Sequence, residues 1–148
     1  MAPSTAGTAA APVMLTSTAI LGNLTITGRE QNASRARSFV GRVLGEDDPR
    51  ADAARLLVSE LFTNAVQHSE SRRPGGTVSI IITGRAGSIG IEVIDQGSMW
   101  SVPVVKADVF ATSGRGLFLV QSIADEWGYL RDSTGTTVWC RLATACGS

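Results

Sequence analysis

The sequence predicts an α/β two-layer sandwich, in which a mixed, mostly antiparallel sheet is covered on one face by about three helices. Apolar residues recur at helical spacing in three segments of the chain. Short segments rich in β-branched residues lie between these helical segments. Tight turns join several of the strand segments, and strands joined in this way are antiparallel neighbours.

The predicted elements follow one another as strand, helix, helix, hairpin, loop, helix and hairpin. Gly45 and Gly128 are expected to end the first and third helices, and Trp127 is expected on the apolar face of the third. The segments in chain order are a strand at 23–27, helices at 33–44 and 50–68, strands at 77–83 and 89–94, a helix at 113–127, a short strand at 129–131 and a last strand at 136–142.

The composition gives no sign of a nucleic-acid-binding surface, of a disulfide framework or of a cysteine metal site. Thirteen basic and thirteen acidic residues give a formal net charge of zero, whereas a nucleic-acid-binding surface usually shows a basic excess. The two cysteines, Cys140 and Cys146, make neither a disulfide framework nor a paired metal-ligand spacing. The default for such a chain is a reduced cytosolic protein.

The chain is expected to form one domain, at 13–143, between two tails at 1–12 and 144–148. The small and polar residues of the first tail predict disorder. That tail has neither the basic start nor the continuous apolar block of a secretory signal. We therefore expect a soluble, cytoplasmic protein.

Two polar residues stand out on the second predicted helix. Glu60 and Asn64 are four residues apart, so their side chains project from the same side at the margin of the apolar stripe. A glutamate there could serve as a general base, and an asparagine could supply a neutral oxygen to Mg²⁺. The helix alone equally permits two solvated edge residues. His68 follows one turn later, where a structural or helix-end role is favoured for it.

Two glycine-containing turns follow this helix. Asp95 ends a strand and Gly97 follows it, so a carboxylate could accept a hydrogen bond from an adenine amine while the glycine lets the base lie close. Gly114 and Gly116 open a helix, where free N–H groups and the helix dipole favour a phosphate. Each turn alone is more often an ordinary hairpin end or loop-to-helix junction. The segment 98–113 between them predicts a long functional loop, such as a lid.

The order and separation of these motifs are more specific than any one of them. Glu60-x-x-x-Asn64, Asp95-x-Gly97 and Gly114-x-Gly116 together resemble the N-box and the two glycine boxes of the GHKL (Bergerat-fold) ATPases. The local sequences at 59–68, 113–117 and 135–139 are similar to those of the anti-sigma-factor serine/threonine kinase branch, in its actinomycete single-domain type. Gln96 departs from the superfamily, where an asparagine is frequent at this position.

This resemblance implies ATP and Mg²⁺ as cofactors and assigns a role to each matching residue. Asn64 would ligate Mg²⁺, and Glu60 would be the catalytic base. The other implied nucleotide contacts are Asp95 at the adenine amine, Gly97 beneath the base, the turn Gly114, Arg115, Gly116 and Leu117 at the phosphates, and Thr137 closing the adenine pocket.

The implied partners are an anti-anti-sigma protein, whose serine accepts the phosphate, and a sigma factor. The resemblance also suggests a homodimer, with no direct contact to nucleic acid or membrane. Two alternatives remain open at this point. The chain could be a nucleotide-gated binding module of the same fold with little catalysis, or an unrelated α/β sandwich with coincidental motifs.

Overall fold

The computed structural model of the protein describes residues 18–67, 73–96, 120, 122–132 and 135–143. Five strands and two long helices lie within these ranges. They are β1 (Ala19–Thr27), α1 (Ala33–Leu44), α2 (Ala51–Gln67), β2 (Thr77–Arg85), β3 (Ser88–Ile94), β4 (Glu126–Asp132) and β5 (Gly135–Ala143), with a single 3-10 turn at Glu30–Asn32. Residues 120, 122 and 123 are also helical.

The strands form one sheet in the order β1-β2-β3-β5-β4. Each pairing of neighbouring strands is antiparallel. In the last hairpin, formed by β4 and β5, it is β5 that pairs with β3, so β4 lies at the edge of the sheet opposite β1. The predicted two-layer α/β sandwich with a largely antiparallel sheet is confirmed.

Strict alternation of side chains places the core on one face of the sheet. In β2 the alternate residues Val78, Ile80 and Ile82 are buried, and β5 follows the same pattern from Thr136 to Leu142. The inward residues pack against the apolar stripes of α1 and α2, of which Phe62, Leu57 and Val40 are completely buried. The helices therefore cover a single face, and any ligand between the two layers is enclosed by α2 and the sheet.

The connection between the helices is fixed by local hydrogen bonds. Gly45 ends α1 at φ +92°, a conformation that favours glycine, and its N–H donates to the carbonyl of Gly41 at 2.8 Å. The Asp48 carboxylate then accepts the backbone N–H of Arg50 at 2.8 Å, just before α2 begins. The Arg50 guanidinium bonds the same carboxylate and holds the pKa of Asp48 below its usual range.

Gly41 brings α1 and α2 close together. A Cβ on Gly41 would lie 2.9 Å from the nearest nitrogen of the Arg55 guanidinium, which occupies the space that glycine leaves. Arg55 also forms ion pairs with Glu46 at 2.9 Å and with Asp52 at 2.8 Å. A larger residue at position 41 would displace this guanidinium from between the helices.

The predicted position at which the third helix ends is wrong. The residues described as helical stop at Ile123, and β4 begins at Glu126, so Trp127 lies in a strand rather than on a helix. Gly128 is an inner residue of that strand instead of a helix stop. A Cβ there would lie 2.8 Å from the Trp139 ring, which covers it from β5. The aromatic residue Trp127 fits the spacing of both elements, and sheet pairing decides between them.

The predicted strands are present but longer than expected, since β1 begins at Ala19 and β2 continues to Arg85. The predicted tails, His68, the loop at 98–113 and the glycine turn at 114–116 lie outside the described residues. Among the residues that the structure does describe, no helix is long and apolar enough to cross a membrane.

The packing of α2 gives a direct test of this core. Phe62 is completely buried, so Phe62→Ala should lower the free energy of unfolding by about 3–5 kcal/mol. Leu56 on the same helix is 40% exposed, and Leu56→Ala should cost less than about 1 kcal/mol. Urea unfolding monitored by circular dichroism measures both. Equal losses for the two variants would show that α2 does not pack as described.

Candidate functional site

Helix α2 presents its two polar candidates at different depths. Leu57, Leu61 and Ala65 bury the helix against the sheet, as predicted. Asn64 is buried with them, at 4% exposure, whereas Glu60 one turn earlier is only partly buried. Glu60 therefore lies at the margin of the apolar stripe, as expected. Asn64 was expected there too, but it is buried within the stripe.

The buried amide of Asn64 is incompletely hydrogen-bonded. Its Nδ2 has no hydrogen-bond partner among the described residues and is shielded from solvent. Leaving a buried polar group without a partner costs about 1–3 kcal/mol, so native structures rarely contain one without a functional reason. Rotation of the amide by half a turn exchanges its nitrogen and oxygen, so this side chain could equally direct an oxygen into the same space. A ligand held there would offset the cost.

Asp95, which directly follows β3, is the second buried polar residue among the candidates. Its backbone N–H donates to the carbonyl of Thr136 at 2.9 Å, and its Oδ1 accepts the N–H of Thr136 at 3.1 Å. These two bonds continue the β3–β5 ladder past Ile94 and fix the carboxylate. Asp95 is 9% exposed, which is unusual for an aspartate. The geometry is that of a carboxylate held in a defined orientation at the rim of the core.

Gly135 lets β5 begin directly against Asp95. A Cβ at position 135 would collide with the carbonyl oxygen of Asp95, so only glycine fits. The Gly135 N–H donates to Asp132 Oδ1 at 3.2 Å, and Arg131 Nε donates to Thr136 Oγ1 at 3.1 Å. The β4–β5 turn is thus built to hold Thr136 and Asp95 together.

Thr136 is the residue of this region that sequence reasoning missed. It is 3% exposed and follows the same alternation as Val138 and Cys140, which face the helices. Thr137 has the opposite parity, pairs with Ile94, and is only partly buried. Counting the alternation back from the buried valine would have distinguished the two threonines. The nucleotide role assigned to Thr137 stays a prediction. Thr136 is the threonine that is buried and bonded to Asp95.

Gln96 has a structural role that fits its departure from the superfamily. Its Oε1 accepts the backbone N–H of Thr77 at 2.8 Å and so ties the end of β3 to the start of β2. The remaining predicted contacts, Gly97, Gly114, Arg115, Gly116 and Leu117, lie outside the described residues. Their roles stay predictions.

The described part of the chain favours neither a cysteine nucleophile nor a metal site built from protein side chains alone. Cys140 is a free thiol at 1% exposure, and burial raises its pKa to about 12, so it is not a nucleophile at neutral pH. No group of three or more His, Cys, Asp or Glu side chains gathers there to hold a metal ion. A cation at Asn64 would have to share its ligands with a substrate, as Mg²⁺ does with phosphates.

Helix α2 packs against β3, the strand that leads into Asp95. Asn64 and Asp95 therefore both line the layer between the helices and the sheet. This arrangement agrees with the match of residues 26–142 to the family model of the histidine kinase-like ATPase domain. The chain belongs to this family. Membership implies ATP as the nucleotide and confirms the resemblance to the GHKL superfamily.

Curated relatives agree with the anti-sigma branch. The chain is 29% identical over 132 residues to the anti-sigma F factor of Geobacillus stearothermophilus, covering 82% of this chain and 90% of the relative. It is 28% identical over 130 residues to the anti-sigma F factor of Halalkalibacterium halodurans, covering 80% and 89%. It is also 26% identical to that of Clostridium botulinum, covering 70% and 79%.

Solved structures confirm the fold. The RsbU and RsbW domains of Rv1364c from Mycobacterium tuberculosis match with a TM-score of 0.59 at 19% identity, over 82% of this chain and 32% of that one. The blue-light activated histidine kinase EL346 of Erythrobacter litoralis matches with a TM-score of 0.52 at 24% identity, over 78% and 42%. This chain thus spans about a third of the first structure and less than half of the second.

Proposed function

We propose that the protein binds Mg-ATP and acts as an anti-sigma factor and serine/threonine kinase, phosphorylating an anti-anti-sigma partner. The observation that carries the proposal is Asn64, a buried amide with an unpartnered nitrogen one turn beyond Glu60 on a helix that packs on the strand leading to Asp95. The names of the curated relatives support the regulatory part of the proposal.

Asp95 would recognise adenine. Its carboxylate is held by the Thr136 N–H, and an ionised carboxylate has acceptor capacity for more than one donor. The exocyclic amine of adenine is such a donor. Thr136, buried beside Asp95, would take the position in the adenine pocket that the resemblance gave to Thr137. Gly97 would lie beneath the base, as the motif predicts.

Asn64 would hold Mg²⁺ through its amide oxygen, which is a ligand type that this hard cation prefers. Bound there, the ion would neutralise charge on the triphosphate. The residues present fit this role because the amide is buried, short of a partner and close to a helix edge that is partly open at Glu60. The turn from Gly114 to Leu117 would contact the phosphates, as predicted from its sequence.

Glu60 would act as the general base. The acceptor serine would approach the partly buried face of α2, and the Glu60 carboxylate would take the proton of its hydroxyl as the oxygen attacks the γ-phosphorus. The bond from that phosphorus to the bridging oxygen breaks, and ADP leaves with its electrons. Most of the rate enhancement in such a reaction comes from positioning and charge neutralisation.

The magnesium assignment is tested at Asn64. Asn64→Ala should weaken Mg-ATP binding at least 100-fold, because the proposed ligand oxygen is lost. The free energy of unfolding should change by less than about 1 kcal/mol, because the variant also removes a buried group without a partner. Titration calorimetry and urea unfolding measure the two quantities. Asn23→Ala, at an exposed asparagine of β1, is the matched control and should change neither quantity. Unchanged nucleotide affinity in Asn64→Ala would contradict the assignment.

A variant of Glu60 separates a kinase from a nucleotide-gated binding module. Glu60→Gln keeps the size of the side chain but removes the base, so serine phosphorylation should fall about 10²–10⁴-fold while ATP affinity stays within twofold. Transfer of ³²P from ATP to the anti-anti-sigma proteins of the same genome is the assay. Absence of phosphoserine with the wild-type chain would leave the binding module as the function.

A further inference from the structure

An arginine near the end of β4 lies on the side of the sheet that faces the helices. Arg131 is directly opposite Thr136 in the β4–β5 pairing, so the two side chains share one face of the sheet. Thr136 alternates with Val138 and Cys140, whose side chains belong to the core between sheet and helices. Arginines are mostly exposed, so the contact that Arg131 makes on this face needs a physical explanation.

That contact is with the hydroxyl group of Thr136. The Nε of Arg131 donates to Thr136 Oγ1 at 3.1 Å, and Arg131 is partly buried. A guanidinium group has five N–H donors and no acceptor, so the direction of this hydrogen bond cannot be reversed. Thr136 Oγ1 is therefore the acceptor, and the hydrogen of the hydroxyl group points away from Arg131.

The hydroxyl hydrogen of Thr136 finds no acceptor in the part of the chain that the structure describes, where Arg131 is the side-chain partner of Oγ1. Thr136 is 3% exposed, so this group has little access to bulk solvent. A buried donor without an acceptor is unfavourable, and a bound molecule that presents an acceptor removes the penalty. Thr136 thus offers a hydrogen-bond donor to a ligand.

The position of this donor beside Asp95 matches adenine. The Asp95 carboxylate accepts the Thr136 N–H at 3.1 Å, so a carboxylate acceptor and a hydroxyl donor belong to two residues in direct contact. Adenine presents an amine, which donates, next to the ring nitrogen N1, which accepts. Guanine presents the opposite pair, a carbonyl oxygen next to an N–H group. A carboxylate beside a hydroxyl donor therefore complements adenine at both positions and guanine at neither.

We propose that Arg131 is a positioning residue for nucleotide recognition, which holds the Thr136 hydroxyl as a donor toward N1 of adenine. This inference rests on the proposed binding of ATP, and it adds the group that reads the second position of the base. Without the Arg131 donor the hydroxyl group can turn. A threonine that turns freely accepts as readily as it donates, and it selects less strongly between bases.

The probes are ATP and 1-deaza-ATP, in which a C–H group replaces N1 while the amine is kept. Titration calorimetry in the presence of Mg²⁺ gives the Kd of each nucleotide. The wild-type chain should bind 1-deaza-ATP about tenfold more weakly than ATP, which is the effect of one lost hydrogen bond. Thr136→Val replaces the hydroxyl by a methyl group, so its two Kd values should agree within about twofold.

Arg131→Met keeps a long unbranched side chain and removes the donor. The ratio of the two Kd values should fall from about ten to about three or less, because the hydroxyl is no longer held as a donor. A purely structural role of Arg131 in the β4–β5 turn would weaken both nucleotides equally and leave the ratio unchanged. Arg131→Lys, whose ammonium group also donates without accepting, should restore part of the ratio.

Arg141→Met is the matched control on the same hairpin. Arg141 alternates with the buried Cys140 and Leu142, so it lies on the other face of the sheet, where it pairs with Glu126 at 3.3 Å. This variant should leave both Kd values within about twofold of the wild type, because an exposed ion pair contributes little. Melting temperatures within about 3 °C of the wild type show that the variants are folded. Arg131→Ala, with the same expected ratio, replaces Arg131→Met if that variant does not fold.

The outcomes separate this inference from the proposed function. Equal binding of ATP and 1-deaza-ATP by the wild-type chain overturns the donor role of Thr136 and leaves ATP binding in place. A wild-type ratio that persists in Arg131→Met overturns the role of Arg131 alone. Binding of neither nucleotide by the wild-type chain overturns both proposals. A ratio that falls in Arg131→Met and Thr136→Val, but not in Arg141→Met, supports the inference.

Discussion

The pairing of Asp95 with Thr136 is the interaction on which the arrangement of the site depends. Two backbone-centred hydrogen bonds join the end of β3 to the start of β5, and Gly135 permits the approach because a Cβ would collide with the Asp95 carbonyl. The contact lies at one end of the β3–β5 ladder, which runs from Ser88 opposite Ala143 to Ile94 opposite Thr137. A structural ladder thereby fixes the orientation of a buried carboxylate, which is the condition for reading a base by hydrogen bonding.

Helix α2 carries the other candidate residues of the site at different depths. Its buried stripe, represented by Leu57 and Leu61, fixes the helix on the sheet. Asn64, within that stripe, carries a polar group without a partner, which is costly for stability and available to a ligand. Glu60 is only partly buried, and Leu56 one turn before it is 40% exposed. The buried stripe and the two polar candidates of the site therefore lie within a few turns of one helix.

Local patterns in the sequence predicted most of the fold, and the predictions that differ from the structure do so for physical reasons. Trp127 matches helical spacing after Val120 and Ala124, but pairing with β5 places it in a strand, and one chain segment cannot reveal that competition. Asn64 is 4% exposed among the buried residues of α2, whereas an asparagine beside an apolar stripe is expected at the margin of that stripe. The role of Thr137 stays a prediction. The structure adds that Thr136 is the threonine on the buried side of β5, and a sequence motif does not give the side of the strand on which a residue lies.

The central claim is that Asp95, fixed by Thr136, reads the exocyclic amine of adenine beside a magnesium ion at Asn64. A comparison of melting temperatures with Mg-ATP and with Mg-GTP tests it most directly, because guanine presents a carbonyl oxygen where adenine presents the amine. At a concentration of 100 Kd, ATP should stabilise the protein by about 2.7 kcal/mol, and GTP at the same concentration should have little effect. Equal stabilisation by the two nucleotides, or none by either, would contradict the account.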